Sequence, residues 1–208
     1  METKEKIIQK AGELFMKYGV RRVTMDEIAK ELVVSKKTLY QYFKDKDEIV
    51  SVATNFMIEM DKNEFIGIKE ESSNSIEELF LVSKCIREKI GEMNPSLLFD
   101  LQKFHPEAWG FYVNYKEIML DYIADSIRQG IAEGYFRTNL DPDTIARMRL
   151  EMVQMVFDDS IFPKNRFDFK EVQLQLFDFF VEGIITDKGR DLMYEYLEKN
   201  KELTKTNP

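Results

Sequence analysis

The sequence predicts an all-α fold, and three observations support this. Apolar residues recur at the 3.6-residue spacing of amphipathic helices along almost the whole chain. No segment shows the convincing alternation of apolar and polar residues that indicates a half-buried strand. Capping residues, glycines and prolines separate the helical segments. With 208 residues, 44% hydrophobic and 33% charged, the chain is long enough to bury a sizeable core.

The first helix is predicted over residues 3–18, and Gly19 is its C-terminal stop. One face carries the apolar residues Ile7, Ala11, Leu14, Phe15 and Tyr18. Because only this face is suited to burial, the helix is expected to brace the two short helices that follow it.

Residues 24–43 predict two short helices joined by a tight turn. Thr24 is the N-cap of the first, and Ser35 is the N-cap of the second. On the second helix only Leu39 and Phe43 are obvious buried anchors. The remaining side chains point outward and combine cations, hydroxyls and one amide, namely Lys36, Lys37, Thr38, Tyr40, Gln41 and Tyr42. Such groups suit phosphates and base edges.

The charge distribution supports a nucleic-acid surface at this end of the chain. Residues 1–46 contain 11 Lys and Arg against 7 Asp and Glu, a net charge of +4. The whole chain contains 30 against 38, a net charge of −8, so the remainder carries −12. The alternative is an ordinary helical hairpin with a solvated basic face, but a basic head on an acidic body favours an oriented approach to a polyanion.

The same segment resembles the helix-turn-helix signature of the tetracycline-repressor (TetR) family. The resemblance rests on Thr24, Ile28-Ala29, Val34-Ser35, Thr38-Leu39-Tyr40, Tyr42-Phe43 and Lys46. It implies that Thr24, Tyr42 and Lys46 grip DNA phosphates. It also implies that the helix beginning at Ser35 lies along the major groove, with the contacts Lys36, Lys37, Thr38, Tyr40 and Gln41.

Two positions depart from the family pattern. Val33 stands where a turn glycine is usual, and a β-branched residue is costly at positive φ. The turn is therefore expected either to avoid the left-handed conformation or to carry strain. Lys37 stands where a small residue often sits, and its charge is expected to raise affinity more than specificity.

A fourth helix is predicted from Asp45, whose capping role is supported by Glu48. It links the head to the rest of the chain. Residues 67–75 form a polar break, and Ser75 with Glu78 predicts a capping box at the start of the body.

Aromatic residues are dense between Pro95 and Tyr122, a span broken by Pro106 and Gly110. They either fill the core or line a cavity. The TetR resemblance implies an effector pocket in this part of the body, and the candidate lining residues are Phe99, His105, Trp109, Tyr112, Tyr115, Met119 and Met152. The lone His105 is also compatible with a loop or packing role.

Residues 130–137 mark a helix end, and two further helices are predicted over residues 142–157 and 169–185. Each carries apolar residues on two stripes, so each needs two neighbours. One stripe serves the core of the protomer, and the other predicts a two-fold helical interface with a second copy. The expected interface residues are Val153, Phe157, Phe177, Phe180 and Ile184.

Several classes of protein are disfavoured. No stretch has the length of a membrane span and the N-terminus is unlike a secretory signal, which predicts a cytoplasmic protein without membrane contact. The single Cys85 and single His105 provide neither a disulfide nor a zinc cluster. There is no nucleophile with a positioned base and no glycine-rich phosphate loop, so neither catalysis, metal nor cofactor is expected.

The sequence therefore predicts a helix-turn-helix head at residues 1–46, a linking helix at 47–66, an effector-binding and dimerisation domain at 67–200 and a frayed tail at 201–208. The expected function is that of a homodimeric transcription regulator, a repressor by resemblance, which binds a palindromic operator and is released by a small-molecule effector. The alternatives are an enzyme or small-molecule carrier with an incidental head, and a nonspecific DNA-compacting protein, which conflicts with the acidic body.

Overall fold

The computed structural model describes residues 3–90 and 93–205, and this part of the chain contains ten α-helices. The helices are α1 (Thr3–Tyr18), α2 (Met25–Glu31), α3 (Lys36–Tyr42), α4 (Lys46–Glu71), α5 (Ser75–Ile90), α6 (Leu97–Phe104), α7 (Pro106–Ala132), α8 (Pro142–Met155), α9 (Phe169–Ile184) and α10 (Asp187–Lys205). The prediction of an all-α fold with a helix-turn-helix head is confirmed.

Capping interactions place several helix ends where the sequence predicts them. Gly19 has a φ of 81° and its N–H donates to the Phe15 carbonyl at 2.9 Å, which ends α1. Asp45 Oδ1 accepts the N–H of Glu48 at 2.9 Å at the start of α4. Asp141 accepts the N–H of the third helical residue of α8 at 2.9 Å. These predicted boundaries are confirmed.

The predicted capping box at the start of α5 is wrong, because Asn74 caps this helix instead. Asn74 Oδ1 accepts the N–H groups of Ile76 at 3.0 Å and Glu77 at 2.9 Å. Since the asparagine oxygen satisfies these free N–H groups, Ser75 and Glu78 are left to turn inward. Both are buried, with exposed fractions of 2% and 3%.

The aromatic segment is less interrupted than its sequence suggests. Pro106 is the first residue of α7, a position that suits proline because the missing N–H would have no partner there. Gly110, predicted to break the segment, lies inside α7, so that prediction is wrong. An interior glycine costs a helix only about 1 kcal/mol, and tertiary packing outweighs this cost.

The C-terminal part of the chain continues the helical pattern. After α7 the chain turns at Gly134, which has a φ of 76°, in agreement with the predicted helix end. The helix α10 runs to Lys205 and so overlaps the predicted frayed tail, while residues 206–208 lie outside the described residues.

The chain forms two compact units. The first consists of Met1–Glu64 and Gly91–Lys116, and the second consists of Phe65–Ile90 and Glu117–Pro208. The first unit therefore contains the predicted head together with most of α4, all of α6 and the start of α7. Both α4 and α7 contribute residues to each unit.

Each unit has its own apolar core. The core of the first unit joins α1, α2 and α3 to α4, α6 and α7, through residues that include Ile7, Phe15, Ile28, Leu39, Phe43, Ile49, Leu101 and Ala108. The core of the second unit is centred on Ile76, Ile127, Phe136, Phe180, Ile184 and Ile185. Among the described helices, none is long and apolar enough to cross a membrane.

Candidate DNA-binding site

Two side-chain caps hold α2 and α3 in place. Thr24 Oγ1 accepts the N–H of Glu27 at 3.2 Å, and Glu27 Oε2 accepts the backbone N–H of Thr24 at 2.7 Å, which completes a capping box. Ser35 Oγ accepts the N–H of Thr38 at 3.1 Å at the start of α3. Thr24 and Ser35, both predicted to belong to the DNA-binding set, are thus structural caps in the protein alone.

The turn between α2 and α3 is left-handed. Val33 has a φ of 56° and its side chain is 92% exposed. The N–H of Val33 donates to the Lys30 carbonyl at 3.1 Å, and the N–H of Val34 donates to the Ala29 carbonyl at 3.0 Å. This is the Schellman pattern of helix termination. Of the two expectations for this turn, the structure shows the strained one.

The surface of α3 follows from its two buried anchors. Leu39 and Phe43 are 0% and 1% exposed, respectively, and both belong to the core of the first unit. Thr38 is half-buried. The rest of the helix is exposed to solvent, which presents Lys36, Lys37, Tyr40, Gln41 and Tyr42. Since α3 is held only from one side, its opposite side is free to approach a groove about 12 Å wide.

One cation of this surface is paired within the protein. Lys36 Nζ donates to Asp26 Oδ2 at 2.8 Å, which connects the starts of α3 and α2. This hydrogen bond raises the pKa of Lys36. Both side chains are about half exposed or more, so the pair is open to exchange with another anion.

A second cluster surrounds the carboxylate of Glu27. Hydrogen bonds from the backbone N–H and the hydroxyl of Thr24 lower the pKa of Glu27, and the charges of Arg22 and Lys46 act in the same direction. Lys46 Nζ donates to the Val20 carbonyl at 2.6 Å, and burial lowers its pKa. An ammonium has three donors, so this contact fixes Lys46 and leaves donors for a phosphate.

Sequence reasoning missed two further cations in this region. Arg22 is exposed, lies 5.6 Å from the centre of the Tyr18 ring and contributes to the field at Glu27. Lys44, between α3 and α4, is 87% exposed. In the sequence, the pair Arg21-Arg22 shortly before the N-cap Thr24 is the signal that could have predicted an exposed cation here.

The seven residues predicted to line an effector pocket are distributed over both units. In the first unit, the ring centres of Trp109 and Tyr112 lie 5.1 Å apart with the rings tilted by 34°, and Phe99 is 50% exposed. Tyr115, also in the first unit, donates to Asp61. Met119 and Met152 belong to the second unit.

His105 connects α6 and α7. Its Nδ1 lies 3.1 Å from Asp47 Oδ1, outside hydrogen-bonding geometry. Burial lowers the pKa of His105, while the charge of Asp47 opposes this shift. The ring of His105 therefore lies close to the start of α4.

A cavity of about 240 Å³ lies in the second unit at the start of α9. Its walls are formed by Phe162, Arg166, Phe167, Asp168, Glu171, Val172, Gln175 and Leu176. None of the seven predicted pocket residues is part of this wall. Among the described residues, no three His, Cys, Asp or Glu side chains converge as metal ligands.

The residues predicted for a dimer interface lie mostly inside the protomer. Phe177, Phe180 and Ile184 are 3%, 8% and 3% exposed, while Val153 and Phe157 are half-buried. On α9 the exposed aromatic side chain is instead Phe179, which precedes Phe180 and is 69% exposed. On α8 the exposed apolar residue is Met148, at 48%.

Comparison with known proteins agrees with this geometry. Residues 7–53 match the model of the family described as bacterial regulatory proteins, tetR family. These residues contain α2 and α3 with both caps.

The chain is also similar to a helix-turn-helix transcriptional regulator of Bacillus subtilis, YvaF, with 28% identity over 81% of this chain and 88% of the relative. Two solved structures share the fold at low identity. A TetR-family regulator of Agrobacterium tumefaciens has a TM-score of 0.73 and 13% identity, with coverage of 88% of this chain and 97% of that one. A regulatory protein TetR of Rhodobacter sphaeroides has a TM-score of 0.72 and 16% identity, with coverage of 87% and 98%. Residues 7–53 thus match the DNA-binding domain of the TetR family, and the likeness to helix-turn-helix regulators supports a DNA-binding transcriptional regulator.

Proposed function

We propose that this regulator is a repressor that binds a palindromic operator as a homodimer and leaves it when a small-molecule effector binds. The observation that carries the proposal is the surface of α3, where two buried anchors leave five polar and aromatic side chains exposed beside a cluster of cations. Such a role requires binding and conformational change, and no catalysis.

In this proposal α3 enters the major groove. Gln41 is suited to a base edge, since an amide both donates and accepts. Lys37, Tyr42 and Lys46 contact phosphates, which set the register of the helix without reading sequence. Thr24 contributes its hydroxyl beside Lys46, and Arg22 extends the same phosphate contact.

The geometry of DNA sets the spacing that the proposed dimer needs. Two recognition helices on a two-fold axis reach successive major grooves when they lie about 34 Å apart, or a multiple of that distance. Exposed Phe179 on α9 and Met148 on α8 support an interface formed by these two helices. An isologous interface of this kind requires an operator with two similar half-sites.

Release by an effector requires that the effector favour a conformation with the wrong spacing. By linkage, the factor by which the effector lowers DNA affinity equals the factor by which DNA lowers effector affinity. Both α4 and α7 continue from one unit into the other, which supports them as the elements that move.

The test compares Lys37→Ala and Gln41→Ala on an operator selected from random DNA. Lys37→Ala should weaken binding to operator and random DNA together, and should reduce the slope of log affinity against log salt by about one unit. Gln41→Ala should change the preferred base at one position of each half-site while the salt slope stays constant.

Lys62→Ala is the matched control, because it removes the same charge from α4 where Lys62 pairs with Glu59 at 2.9 Å. Binding by this variant should be nearly native. If Lys37→Ala and Lys62→Ala behave alike, or if the native chain prefers no sequence over random DNA, the proposed reading surface is wrong.

A further inference from the structure

Arg149 of α8 points into the core of the second unit. It is 5% exposed, and it shares one stripe of the helix with Ile145 and Met152, which pack against that core. Met148, on another side of α8, is 48% exposed. Arg149 therefore lies on the inward stripe of the helix.

The guanidinium of Arg149 has aromatic neighbours, and no acidic neighbour among the residues that the structure describes. Its centre lies 5.1 Å from the ring of Phe177 and 5.5 Å from the ring of Phe180. Nη1 is buried and has no hydrogen-bond partner within the described residues. Burial lowers the pKa of Arg149 to about 10, so the side chain remains charged at neutral pH.

Two other buried polar side chains of the same unit, Gln173 and Glu78, have partners. The side-chain amide of Gln173 donates to the Val153 carbonyl at 2.9 Å, and Glu78 accepts from the Ser126 hydroxyl at 2.6 Å. Burying a cation without a counter-charge costs far more free energy than burying a hydrogen-bonded polar group, because the cation loses its solvation and gains no ion pair. The two aromatic rings offset part of this cost only.

We propose that Arg149 binds the carboxylate of an amphipathic organic acid, whose apolar part packs among the side chains of the second unit. The inference rests on the proposed function, because this acid would be the effector. The planar guanidinium matches a carboxylate through two parallel hydrogen bonds. A singly charged head group balances one arginine, whereas a dianionic phosphate would leave a second buried charge.

The orientation of Arg149 favours a small molecule over an acidic residue of a second copy of the chain. An interface residue would extend from the outward side of α8, where Met148 lies, whereas Arg149 shares its stripe with the core residues Ile145 and Met152. Methionine side chains such as Met152 adapt readily to ligands of different shape.

The first experiment measures binding of three compounds with one alkyl chain and different head groups to the native full-length protein by calorimetry. The compounds are dodecanoate, dodecanol and dodecyltrimethylammonium, each below its micelle concentration, and carboxylates from octanoate to stearate extend the series. The native protein should bind at least one carboxylate at least about tenfold more tightly than the matched alcohol, as expected for a charge-assisted bidentate contact. Equal binding of acid and alcohol, preference for the cation, or no binding of any acid in the series overturns the proposal.

The second experiment uses variants of α8. Arg149→Met should lose this preference for acid over alcohol, while its melting temperature without ligand should equal or exceed that of the native protein because a buried charge is removed. Arg149→Lys keeps the charge without the planar fork and should bind the acid with intermediate affinity. Arg147→Met is the matched control, because Arg147 is exposed on the same helix and its loss should leave acid binding unchanged.

The outcomes separate this inference from the proposed function. If Arg149→Met binds the acid as the native protein does, the site is wrong even where the native protein represses normally. If Arg149→Met instead dissociates a native dimer, the counter-charge belongs to the second copy and the proposal is overturned. If the acid binds through Arg149 but leaves operator affinity unchanged, the site stands and its regulatory role fails.

Discussion

Val33 has a strained backbone conformation in the turn between α2 and α3. Its left-handed conformation is intrinsically unfavourable for a residue with a branched Cβ, yet both hydrogen bonds of the Schellman turn require it. Its side chain is almost fully exposed and contributes little packing. The cost of the turn is therefore compensated by the packing of α2 and α3 on either side.

Replacing Val33 with glycine should stabilise the protein. Relief of the left-handed conformation is worth about 1–2 kcal/mol, and the greater freedom of glycine in the unfolded chain removes about half of that. A net gain of about 0.5–1 kcal/mol is expected in urea unfolding followed by circular dichroism. Lys30→Gly, within the right-handed part of α2, is the control and should lose about 1 kcal/mol. A loss of stability in Val33→Gly would show that the turn is not strained.

At the scale of single helices, two glycines of α7 differ in their surroundings. A Cβ at Gly110 would meet nothing within 4 Å, whereas a Cβ at Gly130 would lie 2.1 Å from the ring of Phe136. Phe136 is buried in the core of the second unit and has little room to move. Gly130 therefore permits the close approach of the segment that follows α7.

Alanine at these two positions should change stability in opposite directions. Gly110→Ala should stabilise the protein by up to about 1 kcal/mol, because alanine has the higher helix propensity. Gly130→Ala should destabilise it by about 1–3 kcal/mol through overpacking against Phe136. Thermal unfolding of both variants measures the difference. Similar stability of the two would contradict the tight packing at Gly130.

Sequence patterns predicted most helices because their caps are local. Thr24, Ser35 and Asp141 lie within three residues of the N–H groups that they accept, so the pattern alone is sufficient. The N-cap Asn74 was missed because Ser75 and Glu78 also match a capping box. Their burial depends on distant contacts, such as the hydrogen bond from Ser126 to Glu78.

The orientation of α9 was harder to predict, because apolar residues cover most of its circumference. Periodicity then does not distinguish Phe179 from Phe180, although the structure exposes the first and buries the second. The two apolar stripes of α8 likewise do not predict the burial of Arg149 between them. A charged residue four positions after Ile145 and three before Met152 was the signal available in the sequence.

At the scale of the whole molecule, Phe179 and Phe180 provide a test of the proposed dimer, because one is exposed and the other is buried. Phe179→Asp should give a folded monomer, because it places a charge on an exposed surface of α9 that the dimer would bury. Phe180→Asp should unfold the second unit, because its carboxylate would enter the core. Sedimentation velocity and circular dichroism distinguish the two results. A native protein that is monomeric at micromolar concentration, or a Phe179→Asp variant that remains dimeric, would reject this interface.

The first unit is assembled from two separate stretches of sequence. The second stretch contributes Leu97, Leu101 and Ala108 to the core that also holds α1, α2 and α3. A gene fragment that ends after α4 would therefore encode an incomplete unit with an uncovered apolar face. A chimeric regulator that borrows the DNA specificity of this chain needs both stretches from the same parent, so single-crossover recombination is a poor route to new head and body combinations in proteins built this way.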